Sequence, residues 1–165
     1  MNTRALFEPI KIFVFDVDGV LTNGTLLVTE EGHLLRTMNI KDGYALQLAI
    51  KKGYQIWIIS GGTSNAVVKR LSKLGLEEVH IAVKDKAQLL QTLLTKYNIA
   101  PSALLYMGDD MPDRAVMQLC GLKACPADAI NEIKAVADYI SPIKGGEGCV
   151  REVIEFVLKL NNHWE

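Results

Sequence analysis

Asp16 and Asp18 stand one residue apart where the apolar run Ile12-Phe13-Val14-Phe15 gives way to Gly19. A continuous hydrophobic run closed by glycine reads as a strand buried on both faces of a parallel sheet. Such strands deliver their last residues to the crevice where α/β proteins bind ligands. Carboxylates released there are costly unless something positive meets them, so the pair predicts a charged site with a divalent cation, a lysine or both. A second acidic group, Gly108-Asp109-Asp110-Met111-Pro112-Asp113, follows the apolar run from Ala103 to Met107. The carboxyl ends of parallel strands share one edge, so aspartates far apart in the chain can meet there. Asp16, Asp18 and Asp109 then form an all-oxygen pocket suited to Mg²⁺, which takes hard carboxylate and water ligands and is often completed by a substrate phosphate.

Two further candidates fit between those clusters. Gln55 to Ile59 is a third apolar run, ending in Ser60-Gly61-Gly62-Thr63, a hydroxyl and a loop able to turn backbone N–H groups, Gly61 included, toward a phosphate. Lys86 precedes a helical pattern (Leu89, Leu90, Leu93, Leu94, Tyr97) and can place an ammonium beside the same edge. The chemistry these parts suit is phosphoryl transfer. A phosphate monoester dianion repels an attacking carboxylate until charge on both is neutralised, a task for Mg²⁺ and Lys86. Asp16 is the expected nucleophile, forming an aspartyl-phosphate. Asp18 is the expected proton carrier, first to the leaving oxygen and then from the hydrolytic water. Ser60 donates to a phosphoryl oxygen, Asp109 ligates Mg²⁺, and Asp110 or Asp113 orients the metal waters or Lys86. Each residue alone has an ordinary use: Asp18-Gly19 as a turn, Asp109-Asp110 as a helix N-cap with Pro112 in the first turn, Ser60 as a loop hydroxyl, Lys86 as a solvated helix residue. Together, those turns and caps would have to imitate one ordered mechanism.

In chain order, Asp-x-Asp, Ser, Lys and Gly-Asp-Asp-x-x-x-Asp resemble the haloacid dehalogenase superfamily over Lys11 to Asp113. Further segments resemble the 3-deoxy-D-manno-octulosonate 8-phosphate phosphatase family: Phe15 to Thr22, Asn39-Ile40-Lys41-Asp42-Gly43-Tyr44 and Gly145-Gly146-Glu147-Gly148-Cys149-Val150-Arg151-Glu152. The likeness spans nearly the whole chain. It implies a phosphorylated sugar acid as substrate in lipopolysaccharide precursor synthesis, Mg²⁺ as cofactor, the backbone carbonyl of Asp18 on the metal, and a homotetramer. A sugar acid phosphate carries a carboxylate besides its phosphate, so a second cation is needed, and Arg36, Lys41, Arg70, Lys144 and Arg151 are available. Arg70, Lys41 and Arg151 are the expected substrate-binding residues, Arg70 and Arg151 because the resemblance includes their surroundings. One departure is Gly62, where family members often carry Arg. A nonulosonate 9-phosphate phosphatase is the alternative within the class. A phosphoacceptor signalling domain is the alternative outside it, although such domains normally place the acceptor near the middle of the chain and here it comes first.

To hold these residues at one edge, strand and helix must alternate as in an α/β doubly wound, mainly parallel sheet. Helices are expected at about Gly43 to Lys52, Ser64 to Leu74, Lys86 to Tyr97, Asp113 to Leu119, Ala129 to Ala137 and Cys149 to Leu160, with further short strands near Glu78 to Ala82, Lys123 to Cys125 and Tyr139 to Ile140. The interval of about 22–40 breaks the alternation and reads as a β-hairpin around Glu30-Glu31-Gly32-His33. It is too short for a cap domain, so the catalytic edge stays open unless another subunit covers it, with the hairpin packing between subunits. The segment Gly145 to Gly148 reads either as a flap over the ligand or as a mobile connection before the last helix.

A chain of 165 residues with no linker suits a single hydrolase domain over 1–165, and a net charge of -1 gives no general attraction to nucleic acid or to an anionic membrane. No apolar stretch is long enough to span a bilayer, and Met1 to Pro9 includes Arg4 and Glu8 without an apolar core, so no leader is expected. Cys120, Cys125 and Cys149 lack a CxxC spacing and read as reduced packing residues of a cytoplasmic protein. His33, His80 and His163 form no close pair that would suggest zinc.

Overall fold

The computed structural model describes residues 3–165; Met1 and Asn2, the start of the segment read above for a leader, lie outside the described residues. In chain order the elements are α1 (Thr3–Phe7), β1 (Ile12–Phe15), β2 (Leu27–Val28), β3 (Leu34–Leu35), α2 (Ile40–Lys51), β4 (Gln55–Ile59), α3 (Asn65–Lys73), β5 (Glu78–His80), α4 (Lys86–Tyr97), β6 (Leu104–Met107), α5 (Met111–Met117), β7 (Leu122–Cys125), α6 (Asn131–Lys134), β8 (Tyr139–Ile140) and α7 (Cys149–Leu160). Six strands form one sheet in the order β5-β4-β1-β6-β7-β8, and every neighbouring pair is parallel. The chain winds outward from β1 in one direction through β4 and β5, then in the other through β6, β7 and β8. The reversal leaves a crevice beyond the carboxyl end of β1, where open α/β sheets bind ligands.

Burial on both faces explains why β1, β4 and β6 read as unbroken apolar runs. Phe13, Phe15, Ile56, Ile58, Leu105 and Met107 face one core with α2, α3 and α7, while Ile12, Val14, Trp57, Ile59, Leu104 and Tyr106 face the other with α4, α5 and α6. The registers Phe15↔Ile58 and Phe15↔Met107 bring the three central strands to an end at one level, so Asp16, Ser60 and Gly108 emerge together.

The hairpin is present as β2 and β3, antiparallel with Leu27↔Leu35 and Val28↔Leu34. Its side chains find little cover: Leu27 is 66%, Val28 64%, Leu34 47% and Leu35 49% exposed, and Ile40 and Tyr44 at the start of α2 are also exposed. The segment Gly145 to Gly148 is no flap. Gly146 N–H donates to the Val20 carbonyl at 3.0 Å, Gly145 N–H donates to Asp128 Oδ1 at 2.9 Å, and Asn39 Nδ2 donates to the Gly146 carbonyl at 3.3 Å.

Helix α7 follows Gly148, which has no side chain to cap it, and Asp42 of α2 supplies the acceptor instead: its Oδ1 takes the Arg151 N–H at 2.8 Å. Asp42 is buried, and its Oδ2 has no partner among the described residues. Burial pushes its carboxyl up to about 6, against the pull of the Arg151 N–H and guanidinium. A carboxyl raised on folding favours the native state while protonated. Its contribution is therefore full below about pH 4 and is lost as pH rises through about 6. Asp42→Asn keeps an acceptor for Arg151 and removes the charge. Thermal melts should show the variant more stable than the parent by on the order of 2 kcal/mol at pH 8, with the gain vanishing near pH 4. Equal melting at pH 8 would mean that the buried charge is compensated.

Candidate active site

Asp16 leaves β1 with its N–H donating to the Met107 carbonyl at 3.1 Å, which locks it to the end of β6. Its Oδ1 accepts the Val17 N–H at 2.7 Å and lies 3.1 Å from Lys86 Nζ. The chain then turns through Val17–Leu21, closed by the Thr22 N–H on the Val17 carbonyl at 3.1 Å, with Gly19 at φ 90°. No other residue fits at position 19, because a Cβ there would fall 1.9 Å from Asp109 Oδ2. That close approach is what seats Asp109 over the loop. Single carboxylate oxygens of Asp16, Asp109 and Asp113 all come within 4.8 Å of one another.

Lys86, the first residue of α4, is 6% exposed and is gripped from both sides, by Asp16 and by Asp113 Oδ1 at 2.7 Å. Asp113 is 0% exposed and fully engaged. Tyr106 Oη also donates to Oδ1 at 2.7 Å, and the Asp109 and Asp110 N–H groups donate to Oδ2 at 3.1 and 3.5 Å. With its lone pairs so occupied, Asp113 serves Lys86 and the Asp109 loop better than it would serve a metal. Asp110 caps α5, accepting the Met111 N–H at 2.7 Å, with Pro112 in the first turn. Asp110 thus serves as the helix cap that its place before Met111 and Pro112 suits.

Burial, then repulsion from Asp16, Asp113 and Asp110, push Asp109 up to about 8 against the pull of Lys86. Burial and Asp113 raise Asp16 as well, against Lys86 and the Val17 N–H. Burial pulls Lys86 down, but Asp16 and Asp113 outweigh it and the ammonium is retained. One lysine among these carboxylates leaves excess negative charge in a low-dielectric crevice, and Asp109 Oδ1 is buried without a hydrogen-bond partner among the described residues. A hard divalent cation fits that donor set: oxygen ligands, surplus negative charge and an unsatisfied buried oxygen.

Across the cleft, Ser60 is 3% exposed. Its Oγ accepts the Gly62 N–H at 3.1 Å. Asp16, Asp18, Ser60, Gly61, Gly62, Lys84, Lys86, Asp109 and Asp110 all line this cleft of about 480 Å³. Asp18 turns its carboxylate away from the acidic group toward the hairpin side, where Arg36 grips it in a fork, Nε to Oδ1 at 2.6 Å and Nη2 to Oδ2 at 3.2 Å. The Arg36 side chain is only 9% exposed. Sequence reasoning offered Arg36 only as a cation for substrate; that it holds Asp18 depends on how the hairpin folds back, which no local pattern announces.

The three expected substrate-binding residues do not line the cleft. Lys41 and Arg151 border a separate cavity of about 400 Å³ along α7 with Glu147, Glu152 and Glu155. Arg151 stacks over Trp164 at 5.0 Å and pairs with Glu155 at 3.1 Å. Arg70, in the last turn of α3, packs against α2 at Gly43, where a Cβ would meet its Nη2 at 2.9 Å. The histidines lie elsewhere too: His33 is exposed in the hairpin, His80 meets Glu78 and His163 meets Tyr54.

Residues 78–153 match the family model of haloacid dehalogenase-like hydrolases. A 3-deoxy-D-manno-octulosonate 8-phosphate phosphatase of Escherichia coli (strain B / BL21-DE3) is 36% identical over 157 residues, 95% of this chain and 84% of that enzyme. The solved phosphatase of that name from Yersinia pestis superposes with a TM-score of 0.93 at 31% identity, covering 97% of this chain and 86% of its own. Its counterpart from Moraxella catarrhalis, solved with a magnesium ion, a phosphate ion and a KDO molecule, gives 0.92 at 34% identity over 97% of this chain and 92% of that one. Fold and site together define a haloacid dehalogenase-type phosphatase without a cap domain, of the kind that uses Mg²⁺. The chain belongs to the 3-deoxy-D-manno-octulosonate 8-phosphate phosphatase family.

Proposed function

We propose that this phosphatase converts 3-deoxy-D-manno-octulosonate 8-phosphate to 3-deoxy-D-manno-octulosonate and phosphate, in lipopolysaccharide precursor synthesis, through an aspartyl-phosphate on Asp16. The observation that carries this reading is the meeting of Asp16 and Asp109 oxygens at the ends of adjacent strands, with Lys86 Nζ 3.1 Å from Asp16 Oδ1. Asp16 and Asp109 side chains, with the Asp18 backbone carbonyl, would hold Mg²⁺. The ion, when bound, offsets the charge between carboxylate and phosphate dianion. Lys86, fixed by Asp113, does the same from the other side. Ser60 and the Gly61 N–H orient the phosphoryl oxygens. Asp18, held by Arg36 clear of the acidic group, protonates the departing sugar oxygen and later takes a proton from water.

The test is kcat/KM with Mg²⁺ across octulosonate 8-phosphate, nonulosonate 9-phosphates and neutral sugar phosphates. Octulosonate 8-phosphate is expected to rank first by about tenfold or more over the neutral compounds. A nonulosonate ranking first would transfer the assignment to that branch, and a stable phosphoprotein without turnover would favour a signalling domain.

We propose further that the chain works as a homotetramer, with the hairpin between subunits; the exposed Leu27, Val28, Leu34 and Leu35 support this. Sedimentation of the same preparations alongside the assay would reject it if a fully active monomer were found. Among the described residues no helix is long and apolar enough to cross a membrane. The three buried free thiols support a cytoplasmic, reducing setting, which recovery of the native protein from an oxidising compartment would contradict.

A further inference from the structure

We infer that Lys84 reads the carboxylate of the substrate, an assignment that rests on the sugar-acid reading above. Such a substrate brings two anions to a cleft whose walls already hold Asp16, Asp18, Asp109 and Asp110. Its phosphate would be met by Lys86 and by the cation that Asp16 and Asp109 would hold. The second anion needs another positive group, and a carboxylate placed beside those walls without one is repelled.

Most cations near the cleft are committed elsewhere. Lys86 is buried between Asp16 at 3.1 Å and Asp113 at 2.7 Å. Arg36 has both edges of its guanidinium engaged, by Asp18 and by the Leu34 carbonyl at 3.3 Å. Lys41, Arg151 and Arg70 stand outside the cleft. Within one subunit Lys84 is left: it lines the cleft, it is exposed, and among the described residues its ammonium has no ion-pair partner.

The loop that carries Lys84 is fixed to the phosphate side of the cleft. Ala82 N–H donates to the Gly62 carbonyl at 2.7 Å, and Val83 N–H donates to the Ser60 carbonyl at 3.0 Å. Ala82 is held by this stitching at φ 55°, a left-handed conformation uncommon for a residue with a Cβ. Two residues before the buried Lys86, Lys84 is thereby left exposed at the lining of the cleft. The adjoining position, Gly62, offers no substitute. A Cβ on Gly62 would stand 3.1 Å from Asp18 Oδ2 and 3.4 Å from Arg36 Nη2, so that wall is already filled. Selectivity for a second anion therefore falls to Lys84, whose flexible stem lets a point charge follow the carboxylate of a long open-chain or ring-closed sugar acid.

The test compares kcat/KM for the phosphorylated sugar acid with that for a neutral sugar phosphate of similar length, in the parent, Lys84→Met and Lys84→Arg enzymes with Mg²⁺. The acid-to-neutral ratio is expected to fall about tenfold or more in Lys84→Met, carried by KM for the acid, and to be largely restored in Lys84→Arg. An unchanged ratio in Lys84→Met, including equal loss on both substrates, overturns the assignment to Lys84 and leaves the sugar-acid reading standing. A parent enzyme with no preference for the acid sinks that reading, and the role of Lys84 with it.

Discussion

Asp16→Asn is expected to lower kcat at least about a thousandfold at saturating Mg²⁺, while the protein melts within a few degrees of the parent. The amide matches the carboxylate in shape, and its oxygen can still accept the Val17 N–H now held at 2.7 Å. What disappears is the charge that attacks phosphorus. Folding loses little, because burial and Asp113 already disfavour the ionised form of Asp16. Lys86 keeps its shorter contact, to Asp113 at 2.7 Å, so the ammonium is not stranded. The measurement has two parts: steady-state turnover over a Mg²⁺ series, which separates weakened metal binding from lost chemistry, and acid quenching with radiolabelled substrate, in which the parent traps phosphoprotein and the variant does not. Turnover near the parental level would remove Asp16 from the role of nucleophile.

How far the chain announced this site depended on whether each feature was local. β1, β4 and β6 were legible because strands buried on both faces must be apolar throughout, and the polar residue that ends each run marks the edge. Asp16, Ser60 and Asp109 follow from that rule and from parallel pairing, and they do line one cleft. Helix boundaries were less legible. α2 begins at Ile40, earlier than its apolar period suggests, because Asn39 caps it by accepting the Lys41 N–H at 2.8 Å. The expected helix over Ala129 to Ala137 is regular only over Asn131–Lys134, since the Val136 N–H turns back three residues onto the Ile133 carbonyl, a tighter bond than the α pattern. α1 was not foreseen; five residues are too few to show a period. The cations were the least legible part. Arg36 reaches Asp18 through the return of the hairpin, and Lys84 reaches the cleft through one left-handed residue, both properties of tertiary placement. Lys41, Arg70 and Arg151 stand in the stretches that carry the family likeness, yet their charges serve α2, α7 and the surfaces between them within this chain.

Gly145→Ala should be the most damaging small substitution outside the acidic cluster, with a stability loss of about 3 kcal/mol or more and little soluble native protein. The glycine-rich segment looked on composition like a flexible connection, but it is wedged beneath the loop that follows Asp16. A Cβ on Gly145 would lie 1.9 Å from the Gly19 carbonyl oxygen and 3.0 Å from that of Thr22. Both obstacles are backbone, so no rotamer change relieves them. Gly19 also has little room toward Asp109, where a Cβ would fall 1.9 Å from Oδ2. Strain from the methyl group would therefore pass from α7's leading segment through Gly19 to a carboxylate of the site. Gly32→Ala is the matched control. Gly32 has φ 84° in the exposed hairpin turn and nothing within 4 Å of a new Cβ, so its cost is conformational alone, roughly 1 kcal/mol. Chemical denaturation of both variants decides the matter. If Gly145→Ala unfolds no more easily than Gly32→Ala, the segment is a yielding connection and the nucleophile loop is held by other means. If it is far less stable, and any native fraction shows weakened Mg²⁺ affinity, the last helix and its glycine strut are part of what keeps Asp16 and Asp109 in register.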